Sequence, residues 1–230
     1  SALLLCVFSP LAAHADEDAS SETKETQDEV GEDGSIIVYS NQTRVLEAGA
    51  AYRLDEADLS TFEYDDVMRA LEALPGISTR GEDGFGLRPN IGIRGANSDR
   101  SAKVTLMEDG ILLAPAPYAA PAAYYFPMST RLAGIEVFKG AAATRYGPQT
   151  VGGALNVLTR PIPDEKSGYA DVSAGLYRSG KVHAWAGGQG EHLGVLIEGV
   201  RLRSDGFKTL DSGGGTGFHR SELMLKAMAR

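Results

Sequence analysis

Downstream of Pro163 the chain alternates apolar and polar positions with a period of two and shows no helical spacing, the pattern of strands with one apolar face. Ala170, Val172, Ala174 and Leu176 share one face of the first segment, with Asp171 and Ser173 on the other. Val182, Ala184 and Ala186 continue the pattern, and Leu223, Leu225, Ala227 and Ala229 alternate with Arg220, Glu222 and Lys226. Strands of this kind fit a sheet with one face against lipid and the other against water or a filling domain. Residues 193–203 are less regular: Val195 and Ile197 share one face and Val200 and Leu202 the other, with Glu198 between them, as a bulge near Glu198 would produce.

Upstream the rhythm is mixed. Val67, Met68, Leu71 and Leu74 fall on one face of a helix predicted over 65–74, which Leu74-Pro75-Gly76 stops. Ile91 and Ile93 flank a glycine, and a strand over 103–107 meets Asp109-Gly110, a hairpin turn into 111–113. Further strands are predicted at 135–139 and 154–159, giving a small mixed sheet with one or two helices, an independently packed unit of about 100 residues. The glycine-rich stretch Arg145-Tyr-Gly-Pro-Gln-Thr-Val-Gly-Gly-Ala-Leu-Asn156 joins the two regimes. Four alternating segments cannot close a membrane barrel, for which about eight strands are the minimum, so the chain reads as a fragment of a longer barrel. A soluble β-sandwich would show the same alternation.

The net charge of -9 is concentrated in one tract. Residues 16–33 hold nine acidic residues and one lysine, which leaves the rest of the 230-residue chain near -1. There is no basic stripe for nucleic acid, and an acidic run without aromatics reads as a disordered leader over 16–34. Residues 1–15 form an apolar run ending Ala13-His14-Ala15, the pattern of an export signal lacking its basic start. Cys6, the only cysteine, lies inside it, so the mature chain is expected to have no disulfide and no thiolate metal site. Ser35-Ile-Ile-Val-Tyr-Ser40 is an isolated run of β-formers on a polar tether. It could add as a strand to the sheet edge of another protein, or join the chain's own sheet. Residues 41–60 read as a linker.

Six motifs in order now carry a resemblance: the strand at 35–40, Leu74-Pro-Gly-Ile77, Ile93-Arg-Gly95, Glu108-Asp-Gly110, Ile135-Glu-Val-Phe-Lys-Gly140 and the 145–156 stretch. Together they resemble the TonB-dependent outer-membrane receptors. Within that family they look most like receptors for ferric citrate and ferric siderophores, through Tyr146-Gly-Pro-Gln149 and Ala116-Pro-Tyr118. The resemblance implies an α+β plug domain over 61–163, followed over 164–230 by the first strands of a transmembrane antiparallel β-barrel of about 22 strands. It implies a cell outer-membrane location, a monomeric barrel in lipid, and uptake of a ferric chelate driven by the proton-motive force. The C-terminal domain of TonB would pull on Ser35, Ile36, Ile37, Val38, Tyr39 and Ser40. Iron would travel as cargo, so no cofactor, resident metal or catalytic residue is expected.

For an anionic chelate the plug offers Arg80, Arg88, Asn97 and Arg100 as donors, with Tyr118, Tyr124 and Tyr125 as flat surface. Each of these could equally be structural. Arg94 and Arg145, set inside strand-turn motifs, are expected to tie plug to barrel. Only 19 residues separate Ala15 from Ser35, too few for a periplasmic signalling domain, so transcriptional signalling is not expected. The segment 119–126, alanine and aromatic, departs from the polar lining a citrate site would need.

Other chemistry finds no support. The stretch Gly175 to Lys181 has P-loop spacing, but Val182 stands where Ser or Thr is required, and no strand-to-helix transition surrounds it. The glycine cluster at 213–217 reads as a loop, and His183, His192 and His219 lack zinc-hydrolase spacing. Energised uptake of haem, cobalamin, a copper chelate or an oligosaccharide, and a passive outer-membrane channel, stand as the alternatives.

Overall fold

The computed structural model describes residues 50–61, 64–82, 85–113, 125–147, 150–211 and 213–229. The segments expected to form the export signal, the leader and the 35–40 strand lie outside the described residues, as do residues 114–124, which include Tyr118 and Tyr124.

The plug is a mixed sheet of five strands: β1 (Ala50–Asp55), β4 (Val104–Glu108), β5 (Ile111–Leu112), β6 (Leu132–Lys139) and β7 (Gly153–Thr159), ordered β1-β6-β7-β4-β5. Only β4 and β7 run parallel. β2 (Ile77–Arg80) and β3 (Asn90–Ile93) form a separate antiparallel pair. One face of the large sheet carries the core, because alternate positions Ile135 and Val137, Leu155 and Val157, and Val104 and Leu106 are all apolar and buried. The opposite face holds a smaller cluster of Met107, Phe138, Ala142, Ala143 and Ala154.

Helix α2 (Val67–Glu72) closes the main core with Val67 and Leu71, joined by Leu74 just past its end. It is shorter than the sequence spacing suggests. Asp66 stands outside it as N-cap, accepting a hydrogen bond from the Met68 amide at 2.9 Å, and Gly76, at φ +72°, reverses the chain after Pro75.

The linker expected over 41–60 is corrected from residue 50 onward. β1 pairs with β6 at the sheet edge, Leu54 joins the core, and Arg53 lies 3.5 Å from Glu136. Helix α1 (Glu56–Ser60) follows at once, fixed by a reciprocal capping box between Asp55 and Asp58. The apolar content of β1 is too small to mark it in sequence, since its register is set by a strand some 80 residues later.

The Asp109-Gly110 turn joins β4 to β5 with both residues at positive φ, +49° and +81°, as a two-residue hairpin requires. Gly153 explains part of the glycine-rich junction. Its φ is +153°, and a Cβ there would stand 2.6 Å from the Phe138 carbonyl and 2.9 Å from Ile93 Cδ1. Gly153→Ala is therefore expected to lower the unfolding free energy by about 2–4 kcal/mol, read by denaturant or thermal unfolding.

After the plug, β8 (Ser167–Ala174), β9 (Gly180–Gln189), β10 (Leu193–Ser204) and β11 (Phe218–Ala229) form an open antiparallel meander. The P-loop look-alike is the tip between β8 and β9, and the glycine cluster lies in the connection between β10 and β11. No bulge interrupts β10. Its register runs one for one against both β9 and β11 through Glu198. Leu196, Glu198 and Val200 all point inward and are buried, because the inner face of this strand rests on the plug and not on water. Both faces thus carry apolar residues, which blurs the alternation in sequence.

Candidate functional site

The wall presents charged side chains inward, among them Lys181, Glu198, Arg220, Glu222 and Lys226, and the plug meets these five with an opposite charge or a backbone group. Arg131 is the centre. It ends a single 3-10 turn, Ser129–Arg131, and is only 5% exposed. Its guanidinium donates to Glu222 of β11 through Nε, to Glu108 Oε1 at 2.6 Å and to the Tyr125 hydroxyl at 2.6 Å. Glu222 also accepts from the Met128 amide at 3.2 Å and from Arg220 at 2.5 Å. Arg220 reaches the Phe126 carbonyl as well. Burial by itself would lower the Arg131 pKa, but the hydrogen bond to Glu222 and the surrounding negative charge outweigh it, so the group is held more firmly charged than usual. Burial and Glu222 push the Tyr125 phenol up, so it stays protonated.

Two further clamps flank this one. Lys226 lies 3.1 Å from Asp109, whose carboxylate also accepts from the Thr159 amide at 2.9 Å and from its hydroxyl. Burial acts to raise the Asp109 pKa, yet the Thr159 and Lys226 donors prevail and hold it below the usual carboxylate range. On the other side, Arg160 joins Glu56 at 2.6 Å and Glu198 at 3.5 Å, with its guanidinium 4.6 Å from the Trp185 ring centre. Glu198, 1% exposed, is bonded to His183 at 2.8 Å, and Lys181 meets Asp65 at 3.3 Å. Oppositely charged groups removed from water in this way fix register between two surfaces, and losing one partner strands the other.

Two hollows lie between plug and wall. One, of about 290 Å³, is lined by Glu56, Tyr64, Arg160, Lys181, His183 and Trp185 among others. Several of its charged groups already pair across it, so it reads as a gap in the clamp. The second, of about 420 Å³, opens beside Phe85, Arg88, Tyr125, Phe126, Phe218 and Arg220, at the end of the wall that bears the longer connections.

The residues singled out from sequence divide among three places. Arg88 and Tyr125 meet in the second hollow, where the Tyr125 ring faces Arg220 at 5.6 Å and its hydroxyl is held by Arg131. Arg80 ends β2, and Asn97 and Arg100 lie in the connection that follows β3. Arg80 is paired with Asp99 at 2.8 Å, and Asn97 accepts from the Asp99 amide at 3.0 Å. Arg100, at φ +51°, donates its amide to Asn90 at 2.6 Å and leaves its side chain exposed. Arg94 lies against Gly140 beside Lys139, while Arg145 stacks near Phe138 and Tyr146 and donates to the Tyr146 hydroxyl at 2.5 Å. The clamps to the four described wall strands run through Arg131, Arg160, Asp109 and Asp65, with Glu56 holding Arg160 from within the plug. Asp109 stood out in sequence only as a turn residue, and none of them as a contact to the wall. The one available hint was Glu198, an acid set among apolar residues in a strand.

Residues 46–154 match the family model of the TonB-dependent Receptor Plug Domain. The ferric citrate transporter FecA in its unliganded form superposes with a TM-score of 0.60 at 25% identity, covering 80% of this chain and 29% of that one. The ferric yersiniabactin uptake receptor FyuA of Yersinia pestis superposes with a TM-score of 0.58 at 21% identity, covering 78% of this chain and 28% of that one, a likeness of fold. The vitamin B12 transporter BtuB of Vibrio cholerae serotype O1 is 29% identical over 148 residues, 62% of this chain and 23% of its own length. The chain thus spans between a quarter and a third of these structures, and under a quarter of BtuB. The family match over the mixed sheet identifies residues 46–154 as a TonB-dependent receptor plug domain, and the antiparallel meander that follows it is similar to the start of the barrel in these receptors.

Proposed function

We propose that the complete receptor takes up a ferric chelate, of siderophore or citrate type, across the outer membrane, with the work supplied by TonB through the 35–40 strand. The observation that supports it best is the hollow where Arg88 and Arg220 converge beside the exposed ring of Tyr125. Cations beside an aromatic face suit a flat, anionic complex. The outer membrane carries no nucleotide supply or ion gradient of its own, so mechanical work delivered along a tether is a reasonable route. In this reading the protein is a receptor and not an enzyme. Iron is cargo, and Arg80, Asn97, Arg100, Tyr118 and Tyr124 are further candidates for the ligand surface. Arg94 and Arg145 remain candidates for contact with other parts of the barrel.

Cobalamin is the second reading, favoured by the likeness to the vitamin B12 transporter of Vibrio cholerae. Charge separates the two. The complete receptor, expressed in cells lacking their own ferric-chelate and cobalamin receptors, is expected to restore growth on ferric citrate or a ferric siderophore as sole iron source. Arg88→Glu should raise the chelate concentration needed by about tenfold or more, the effect of losing one charge-assisted contact and adding a repulsion. Restoration by cobalamin alone, unaffected by Arg88→Glu, would transfer the assignment to the neutral ligand.

A further inference from the structure

The outward face of the wall carries a second feature that transport does not use. Reading across β8, β9, β10 and β11, the outward rows are Gly168, Ala186, Ile197 and Leu225, then Ala170, Ala184, Gly199 and Leu223. Both rows lack any polar side chain. The next row is Val172, Val182, Arg201 and Ser221, and the one after is Ala174, Gly180, Arg203 and His219. Two exposed arginines thus stand on consecutive outward positions of β10, directly above an aliphatic surface whose Leu223 and Leu225 are 78% and 69% exposed.

Their height fits the edge of a bilayer. Eight residues separate Leu193 from Arg201, about 27 Å along a strand at about 3.4 Å per residue, or roughly 19 Å along the membrane normal at a tilt of about 45°. An outward apolar band in such barrels is about 25 Å tall. Arg201 therefore stands in the upper part of the band and Arg203, about 5 Å higher, near its edge, and both can extend their guanidinium groups to the headgroup level. Three residues connect β9 to β10 at the lower end, whereas the connections at the arginine end are longer, spanning 175–179 and 205–217. Short turns belong to the periplasmic side and longer loops to the outer one, so the pair faces the outer leaflet.

Among the described residues neither arginine has an acidic partner. Arg178 nearby is paired with Asp205 at 3.3 Å, and these groups, with His219, line a hollow of about 520 Å³. We propose that Arg201 and Arg203 form a binding site for the phosphate group of an outer-leaflet phosphoglycolipid, whose acyl chains lie along the aliphatic rows beneath. Guanidinium forks match phosphate oxygens in pairs, and the adjoining apolar surface selects a phosphate attached to lipid over a free one.

The test uses the complete receptor purified from outer membranes, with bis-phosphorylated lipid A as probe in detergent. Arg201→Gln/Arg203→Gln is expected to weaken its binding by about thirtyfold, from two basic residues at a charged lipid surface, while Arg201→Lys/Arg203→Lys keeps a clear share of it. Heat-shifted gel mobility checks that each variant retains a folded barrel, and ligand uptake is expected to stay unchanged. Equal binding by wild type and the glutamine variant, equal binding of lipid A stripped of both phosphates, or complete competition by millimolar inorganic phosphate would each overturn the proposal. So would an acidic contact from another receptor copy, shown by loss of dimers in the glutamine variant without loss of lipid.

Discussion

Glu222→Ala in the complete receptor is expected to release the 126–131 segment of the plug from the barrel wall. The carboxylate accepts from Arg131, Arg220 and the Met128 amide, and its removal leaves a cation that is 5% exposed with Glu108 as its remaining acid. Removing one member of a buried ion pair costs about 3–5 kcal/mol, and because Glu108 persists the lower figure applies, about 3 kcal/mol. Hydrogen exchange offers a local readout. The Met128 amide loses its acceptor, so its exchange should accelerate by about a hundredfold, while amides in the centre of β7 change little. Glu222→Gln keeps an acceptor of the same shape and should fall between wild type and alanine. Exchange at Met128 within threefold of wild type in Glu222→Ala would show that the ion pair does not hold plug to wall.

The same residues show which parts of this molecule can be read from its sequence. Val67, Met68, Leu71 and Leu74 announce a helix because their spacing is local, and the alternation in β9 and β11 announces strands for the same reason. β10 misleads, since Leu196 and Val200 face the plug while Val195 and Ile197 face outward, and no period of two survives when both faces are apolar. β1 is hidden because only its pairing with β6 makes it a strand. Arg131 is invisible for a stronger reason: its partner in β11 lies 91 residues away, and nothing local distinguishes it from any other arginine. Arg80, a candidate by residue type, is paired in the folded chain with the exposed Asp99, 19 residues on, a contact that its local sequence does not announce. The order of motifs conveyed the fold, whereas the clamps depend on pairings that only the folded chain brings together.

The second large effect concerns residues 35–40, on which the proposed energised uptake rests. An extended segment adds to a partner's sheet through alternate main-chain donors and acceptors, so a proline within it removes a donor and fixes φ away from the strand. Ile37→Pro should leave ligand binding at the cell surface unaltered, because the substitution lies far along the chain from Arg88 and Tyr125. Accumulation inside the cell should fall by more than tenfold, to the level of wild-type cells whose proton gradient has been collapsed.

The decisive measurement is therefore uptake of radiolabelled ferric chelate by cells carrying the complete receptor, wild type beside Ile37→Pro, each with and without the proton gradient. Full binding with accumulation lost in the proline variant, and no further loss on collapsing the gradient, is the result this account requires. Equal accumulation in both receptors, insensitive to the gradient, would mean that ligand passes without any pull on the plug.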